Sequence, residues 1–445
     1  MTIAQSPTTP VNADPQSPEE LIRYYQSVRS FTERMCEPMV NEDYVIQSMP
    51  DVSPTKWHLA HVTWFFETFV LGNNYPNYEP LNKQYNYLFN SYYNAVGEQF
   101  CRPRRGQISR PTVKEVYDYR HYVDEKMVDL ITRMGRDGSL DNLRSVIILG
   151  INHEQQHQEL MATDIKHVLS MNPLRPTLYE RPADLTPVGV PYLEWFRYAE
   201  GVYDIGWNSD RFSFDNEGPE HKQYVNAFEI SSRLITNGEY LEFMNDGGYH
   251  RPDLWLSLGW AEVQENALKE NDWEKFDKPL YWFQTDDGWM QYTLAGPRVI
   301  HPDEPVVHVS FFEADAFARW KGYRLPTEFE WEIASADADI DGGTYSDSFR
   351  FHPRPLSADA PSGRLHQMYG DVWEWTASAY LPFPGFKAEE GAIGEYNGKF
   401  MANQIVLRGG SAATPQNHIR PTYRNFFYAK DKWQFMGFRL ARDAR

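Results

Sequence analysis

His153 and His157 stand four residues apart in the run NHEQQHQEL, Asn152 to Leu160, with Glu154 between them. On a helix that spacing stacks both imidazoles on one face, about one turn apart. Three readings are open. With Glu154 as general base the run is the zinc-peptidase pattern H-E-x-x-H. Without it, the pair can serve another divalent metal that accepts nitrogen donors. With no metal, these are two core histidines satisfied by polar neighbours. The peptidase reading needs a further ligand, and its extended form requires glycine where Leu160 stands. Glu180, the next carboxylate on offer, falls in a proline-rich stretch off any helix. On a helix Glu154 also points about 100° away from His153.

A second pair, His58 and His61, lies in KWHLAHVTWFFE. Trp57 precedes His61 by four residues, and Trp64 and Phe65 follow it, so His61 belongs to an aromatic inner face. Val146, Leu149, Leu160 and Met161 flank the His153/His157 face, which places that face toward a helical core. In helical bundles, metal sites are built from side chains on facing helices. Three imidazoles from two helices leave coordination positions open, which suits a reactive metal rather than a closed structural one. The residue pattern alone leaves the third imidazole open between His61 and His58.

The elements that must position these residues are legible from caps and periodicity. Ser17, Pro18 and Glu20 form a helix start with a capping box, and Leu21, Ile22, Tyr25 and Val28 follow at helical spacing. Ser53-Pro54 repeats that opening ahead of the His58/His61 run. A third helix is expected from near Thr112, with Glu115 three residues on, to about Gly135, and a fourth from after Asp141 to about Met171. Four long helices with one long connection over 72–110 predict a four-helix bundle across residues 17–171, after a disordered N-terminus at 1–16. Pro173, Pro176, Pro182, Pro187 and Pro191 mark a linker over 172–192. From 193 to 445 short strand-like runs (GVYDIGW, YVNAFEIS, PVVHVSFF, VLRGGS, GFRLAR) alternate with turn residues, and two helices interrupt them, TNGEYLEFMND and EADAFARWKGY. The expected fold class is therefore multidomain: an all-α bundle followed by an α+β domain.

The bulk numbers exclude some functions. A formal net charge of −19 over 445 residues repels nucleic acid and anionic membrane surfaces, which leaves small molecules as partners and carries no signal for oligomeric state. Two cysteines, Cys36 and Cys101, make no disulfide framework and fit a reducing compartment. No secretory leader and no bilayer-length apolar run is visible, so a cytoplasmic location is expected.

SPTKWHLAHVTWFFE together with NHEQQHQEL resembles the DinB-like bundle of the ergothioneine-biosynthetic sulfoxide synthases, the EgtB family. YRLPTEFEWEIA, GDVWEWTAS, VLRGGS and MGFRLARD resemble the formylglycine-generating-enzyme-like domain, a C-type-lectin-like fold. The resemblance covers nearly all of the chain beyond residue 16. It implies a mononuclear non-haem iron(II) site held by His61, His153 and His157, with His61 favoured over His58. The implied reaction uses dioxygen to join a thiol to C2 of the imidazole of hercynine (N-α-trimethylhistidine) as a sulfoxide. Cysteine is the favoured thiol and γ-glutamylcysteine the alternative. An ovothiol-type reaction on histidine is a further alternative, as is a non-catalytic small-molecule-binding protein.

The resemblance also implies roles for residues elsewhere. Gln156 would lie near the hercynine imidazole, and Arg102 and Arg105, spaced R-x-x-R, would bind the carboxylate of the thiol substrate. Tyr92 or Tyr93 would donate a proton during the oxygen chemistry. Asn425 would contact hercynine, and Phe426 would face its trimethylammonium. Phe427 departs from the acid that some members carry there. Formylglycine-generating enzymes use a cysteine pair in the second domain. Here both cysteines precede residue 102, so that activity is excluded. Trp373, Glu374 and Trp375 read as core of the second domain.

Overall fold

A computed structural model describes residues 14–180, 189–286, 288–388 and 394–444. The expected disordered N-terminus lies largely outside the described residues, as does the stretch 181–188 of the expected linker. The chain divides into two compact units, one comprising Met1–Ile165 with Ser209–Phe212, the other Lys166–Asn208 with Ser213–Arg445.

The first unit is built on helices α1 (Pro18–Cys36), α2 (Thr55–Phe66), α3 (Val113–Asp137) and α4 (Asp141–Met171), the last of which runs past the unit's boundary. Capping boxes start α1 at Ser17 and α3 at Thr112, each closed by a glutamate three residues on. The opening of α2 differs from expectation. Pro54 occupies the cap position without a side-chain hydrogen bond, and Ser53 is engaged elsewhere. All twelve residues of α2 are buried. A π-helical turn, Glu67–Leu71, then carries it on to Asn74.

Helices α2 and α4 pack antiparallel, and one glycine permits their close approach. A Cβ on Gly150 of α4 would meet the Phe66 ring at 2.6 Å and the Phe65 ring at 2.9 Å. The deepest stripe of α4 is not the one expected. Ile147, Ile151, Glu154, Gln158 and Ile165 are buried; of the residues expected beside the histidines Met161 is buried, whereas Val146, Leu149 and Leu160 are only half-buried. The histidine face thus flanks the central core, and Glu154 points into it.

Within the long connection between α2 and α3, a short helix at Tyr85–Phe89 lies along α2. Its Leu88 carbonyl accepts from Trp57 Nε1 (3.1 Å), and its Asn86 side chain accepts from Trp64 Nε1 (2.8 Å). Farther on, the buried Lys56 ammonium donates to the carbonyls of Ile108 (2.7 Å) and Pro111 (2.9 Å), tying the start of α2 to the end of the connection.

The second unit is α+β. Trp195–Tyr198, Phe228–Ser231 and Ala441–Asp443 make an antiparallel three-stranded sheet. Asn425–Tyr428, Gln404–Arg408, Trp373–Ala379 and Met436–Gly437 line up in that order in a four-stranded one, the last pair parallel. PVVHVSFF is not a strand: His308 adopts φ 65, and Ser310 caps a helix that begins at Phe311. A helix at Glu328–Ser335 starts from a Thr327/Glu330 capping box that the sequence reading passed over. Trp373, Glu374 and Trp375 are buried, and Glu374 is ion-paired with the equally buried Arg439. Among the described residues no helix is long and apolar enough to cross a membrane.

Candidate metal centre

One turn of α2 and two turns of α4 bring His61, His153 and His157 together. One ring nitrogen from each lies within 4.8 Å of the others, and all three residues are buried. No other group of three such side chains occurs among the described residues. His61 is held between two indoles, stacked on Trp57 at 4.6 Å and on Trp64 at 5.5 Å. Phe65 packs against His153 at 4.9 Å.

The protonation of the three rings suits metal binding. Burial pushes each imidazole pKa down, His153 to about 4 and the other two well below the ordinary value, with neighbouring imidazoles adding to the effect on His61 and His157. All three are therefore neutral near pH 7 and keep a lone pair. His61 Nδ1 sits 2.6 Å from the Phe89 carbonyl, to which it must donate, so Nε2 is its free nitrogen. His157 Nδ1 is engaged by His58 at 2.8 Å, which likewise leaves Nε2. The Nδ1 of His153 is buried without a hydrogen-bond partner. Three neutral nitrogen donors in a buried cluster fit a first-row divalent ion.

His58 is not one of the three. It bridges instead, with Nδ1 on His157 and Nε2 at 2.9 Å from the Asp164 carboxylate. The same Asp164 oxygen accepts the Ser53 N–H at 2.8 Å. Sequence reasoning missed Asp164 altogether. The available signal was its place two turns after His157, on the same helical face.

Glu154 does not serve this cluster. Its Oε1 accepts from Thr32 (2.7 Å) and Arg120 (2.5 Å), and its Oε2 accepts from Arg29 (2.9 Å). Burial alone would raise its pKa, but Arg120 and Arg29 outweigh burial and hold it at about 2. Both oxygens are committed to the α1/α3 side of the bundle, so neither is available as a base on a metal-bound water.

The arginines of the connection lie in a short 3-10 turn, Arg102–Gln107. Arg105 is buried, 3.4 Å above the Trp57 ring, with its Nη atoms on the hydroxyls of Ser53 (2.9 Å) and Ser91 (3.0 Å). It has no carboxylate within ion-pair distance among the described residues, and its Nε is buried without a partner. Burial, then the charge of Arg102, pushes its pKa down to about 9. Arg102 donates to the Tyr92 hydroxyl and to the Asp51 carbonyl (2.6 Å). Tyr93 is buried in a ring cluster with Trp64 (5.7 Å), Phe65 (6.4 Å) and Phe69 (5.1 Å). Gln156 is half-buried on α4.

Asn425 and Phe426 belong to the second unit. The Asn425 side chain accepts the Phe426 N–H (2.9 Å), and Phe426 stacks on Tyr380 at 4.1 Å.

Comparison with known proteins agrees with this architecture. Residues 24–161 match the DinB superfamily, and residues 196–359 and 360–444 match the sulfatase-modifying factor enzyme 1-like domain. The chain is 32% identical to a hercynine oxygenase of Mycolicibacterium smegmatis over 429 residues, covering 89% of this chain and 92% of that protein. It is 31% identical to the hercynine oxygenase of Mycobacterium tuberculosis, covering 96% of this chain and 99% of that one. A 26% identical stretch covers 52% of this chain and 28% of ergothioneine biosynthesis protein 1 of Schizosaccharomyces pombe. With both domains matched in order and the two hercynine oxygenases aligned along almost their whole length, the chain belongs to the hercynine oxygenase (EgtB) family of ergothioneine biosynthesis.

Proposed function

We propose that this protein is an iron(II)-dependent sulfoxide synthase that joins a thiol, cysteine in preference to γ-glutamylcysteine, to C2 of the hercynine imidazole. The observation that carries the reading is the buried cluster of three neutral imidazoles on α2 and α4. In the overall reaction the S–H of the thiol and the C2–H of the imidazole are lost and a C–S bond forms. Sulfur takes one oxygen atom, and the other leaves as water. The four electrons removed from carbon and sulfur reduce one dioxygen.

His61, His153 and His157 would hold the metal. Bound iron(II) would supply dioxygen activation and lower the pKa of the thiol. The other roles fall to the chain's own side chains. Arg105 offers a buried cation with no carboxylate within ion-pair distance among the described residues, which suits the carboxylate that both candidate thiols carry. The Trp57 ring beneath it fixes the guanidinium plane. Tyr93, within the ring cluster that includes Trp64 and Phe65, is the favoured proton donor. Tyr92 is tied to Arg102 and acts through it. Gln156 orients hercynine from the turn of α4 between the two histidines.

The test is oxygen uptake by the iron(II)-loaded protein with cysteine, with and without hercynine, and then with γ-glutamylcysteine. The expected result is hercynine-dependent uptake with cysteine and a sulfoxide by mass spectrometry. Bound iron with no uptake from either thiol refutes the reading.

A further inference from the structure

We infer that His58 and Asp164 form a positioning relay that fixes the tautomer and orientation of His157 at the metal centre. The inference rests on the metal-binding reading of the three histidines and concerns residues that do not themselves belong to the cluster. His157 Nδ1 and His58 Nδ1 are 2.8 Å apart, so one of them carries the shared proton. The far nitrogen of His58 decides which one. His58 Nε2 lies 2.9 Å from Asp164 Oδ2, and a carboxylate only accepts. His58 Nε2 therefore carries a proton, and in the singly protonated ring Nδ1 is an acceptor. His157 Nδ1 must then be the donor, and its Nε2 is left as a lone pair in the cluster. Reversing the direction of the chain would place a proton on His157 Nε2, where a metal must sit.

The surroundings hold this direction in place. Asp164 Oδ2 is itself fixed by the Ser53 N–H at 2.8 Å, and Ser53 Oγ receives Arg105 at 2.9 Å. All four residues are buried, so water does not compete for these bonds. The three candidate ligands are therefore supported differently. His61 relies on the Phe89 backbone carbonyl, which no substitution at position 89 removes. His153 Nδ1 has no hydrogen-bond partner among the described residues. The relay to His157 is the support that side-chain changes can dismantle without touching a ligand. Partners of metal-bound imidazoles raise ligand basicity, and their loss costs roughly 10–100-fold in metal affinity.

The test is cobalt(II) titration of the apoprotein, followed by visible absorption, in the wild type, His58→Phe, Asp164→Leu and Asp164→Asn. Cobalt binding needs neither dioxygen nor substrate, so it stands apart from the sulfoxide chemistry. The expected result is one cobalt per chain in the wild type and affinity weaker by roughly 10–100-fold in His58→Phe and Asp164→Leu. Asp164→Asn retains most of the affinity, because its amide oxygen can still accept from both Ser53 and His58. Wild-type affinity in both breaking variants overturns the relay and leaves the metal site standing. No stoichiometric cobalt in the wild type removes the metal-binding reading and the relay with it. Because a breaking variant can fail to fold, the wild-type apoprotein supplies a second measurement. Its histidine 15N shifts should report a protonated Nδ1 and a bare Nε2 on His157, and the opposite pattern overturns the inference.

Discussion

Replacing Glu154 with glutamine separates the two meanings of the H-E-x-x-H run. If Glu154 were a base on a metal-bound water, Glu154→Gln would abolish activity and leave the fold intact. Its surroundings argue the reverse. The carboxylate is buried against the guanidinium groups of Arg29 and Arg120 and held at about 2 against an ordinary 4.5. That offset corresponds to about 3 kcal/mol of stability at neutral pH. Removing one member of a buried ion cluster costs about 3–5 kcal/mol, and here Arg29 and Arg120 would keep only their part-exposed partners Asp124 and Glu33. For a unit of this size such a loss lowers the melting temperature by roughly 6–20 °C. A chain of two units need not unfold in one step, so the readout is hydrogen exchange of the α3 and α4 amides rather than a single global transition.

The pH dependence gives the prediction a second edge. A carboxylate whose folded pKa lies below its unfolded value stabilises the fold fully above about pH 4.5, and that stabilisation is lost as pH falls toward about 2. The gap between wild type and Glu154→Gln should be full at pH 7 and close progressively between these limits. Cobalt stoichiometry should be unchanged in the folded variant, because neither Glu154 oxygen reaches the histidine cluster. A variant as stable as the wild type within about 0.5 kcal/mol that nonetheless loses its metal or its activity would refute the assignment, since a surface-like stability effect is incompatible with a buried paired charge.

Three further substitutions follow from the geometry. Arg105→Leu removes the buried cation and should raise KM for the thiol by roughly 10–100-fold, the worth of a charge-assisted hydrogen bond, with KM for hercynine unchanged. Equal losses for both substrates in steady-state kinetics would count against a carboxylate contact. Tyr93→Phe should divert product from sulfoxide toward oxidised thiol in the mass spectrum, whereas Tyr92→Phe should act more weakly and mainly on thiol KM through Arg102. Gly150→Ala places a methyl group 2.6 Å from the Phe66 ring, and such overpacking costs about 1–3 kcal/mol. It should also weaken cobalt binding by pushing α2 away from α4, and unchanged affinity would show that the histidine cluster tolerates that displacement.

Local sequence signals carried most of the fold and pointed to the three clustered histidines. Caps at Ser17 and Thr112, glutamates three residues on, and apolar spacing set the helix starts to the residue. The aromatic neighbours of His61 marked its inner face, and the structure stacks it between Trp57 and Trp64. What was not legible depends on pairing between distant segments. Ser53 looks like a cap until Asp164 and Arg105 claim it. His58 looks like a spare ligand until the α2/α4 register sets its two nitrogens on His157 and Asp164. PVVHVSFF has strand composition, but the Ser310/Glu313 capping box claims its end for a helix. The faces of α4 were misjudged because half-buried Val146 and Leu149 look no different in sequence from a core stripe.

The arrangement on α4 explains why a peptidase-like string of letters needs no peptidase. Successive helical residues are separated by about 100°, so His153 and His157 share a face that Glu154 does not. The histidine face meets α2, where burial keeps imidazoles neutral and the Arg105 cation nearby has no carboxylate within ion-pair distance among the described residues. The Glu154 face meets α1 and α3, where two guanidinium groups require a fixed negative charge. A single glycine, Gly150, sets how closely the first face can approach its partner. The identity of residue 154 is thus constrained by charge balance in the bundle core. Arginines at 29 and 120 should therefore accompany an acidic residue at 154, and replacing Arg29 and Arg120 with apolar residues of similar volume should relieve most of the penalty of Glu154→Gln. If the triple variant is no more stable than Glu154→Gln alone, charge balance is not what holds that residue in place.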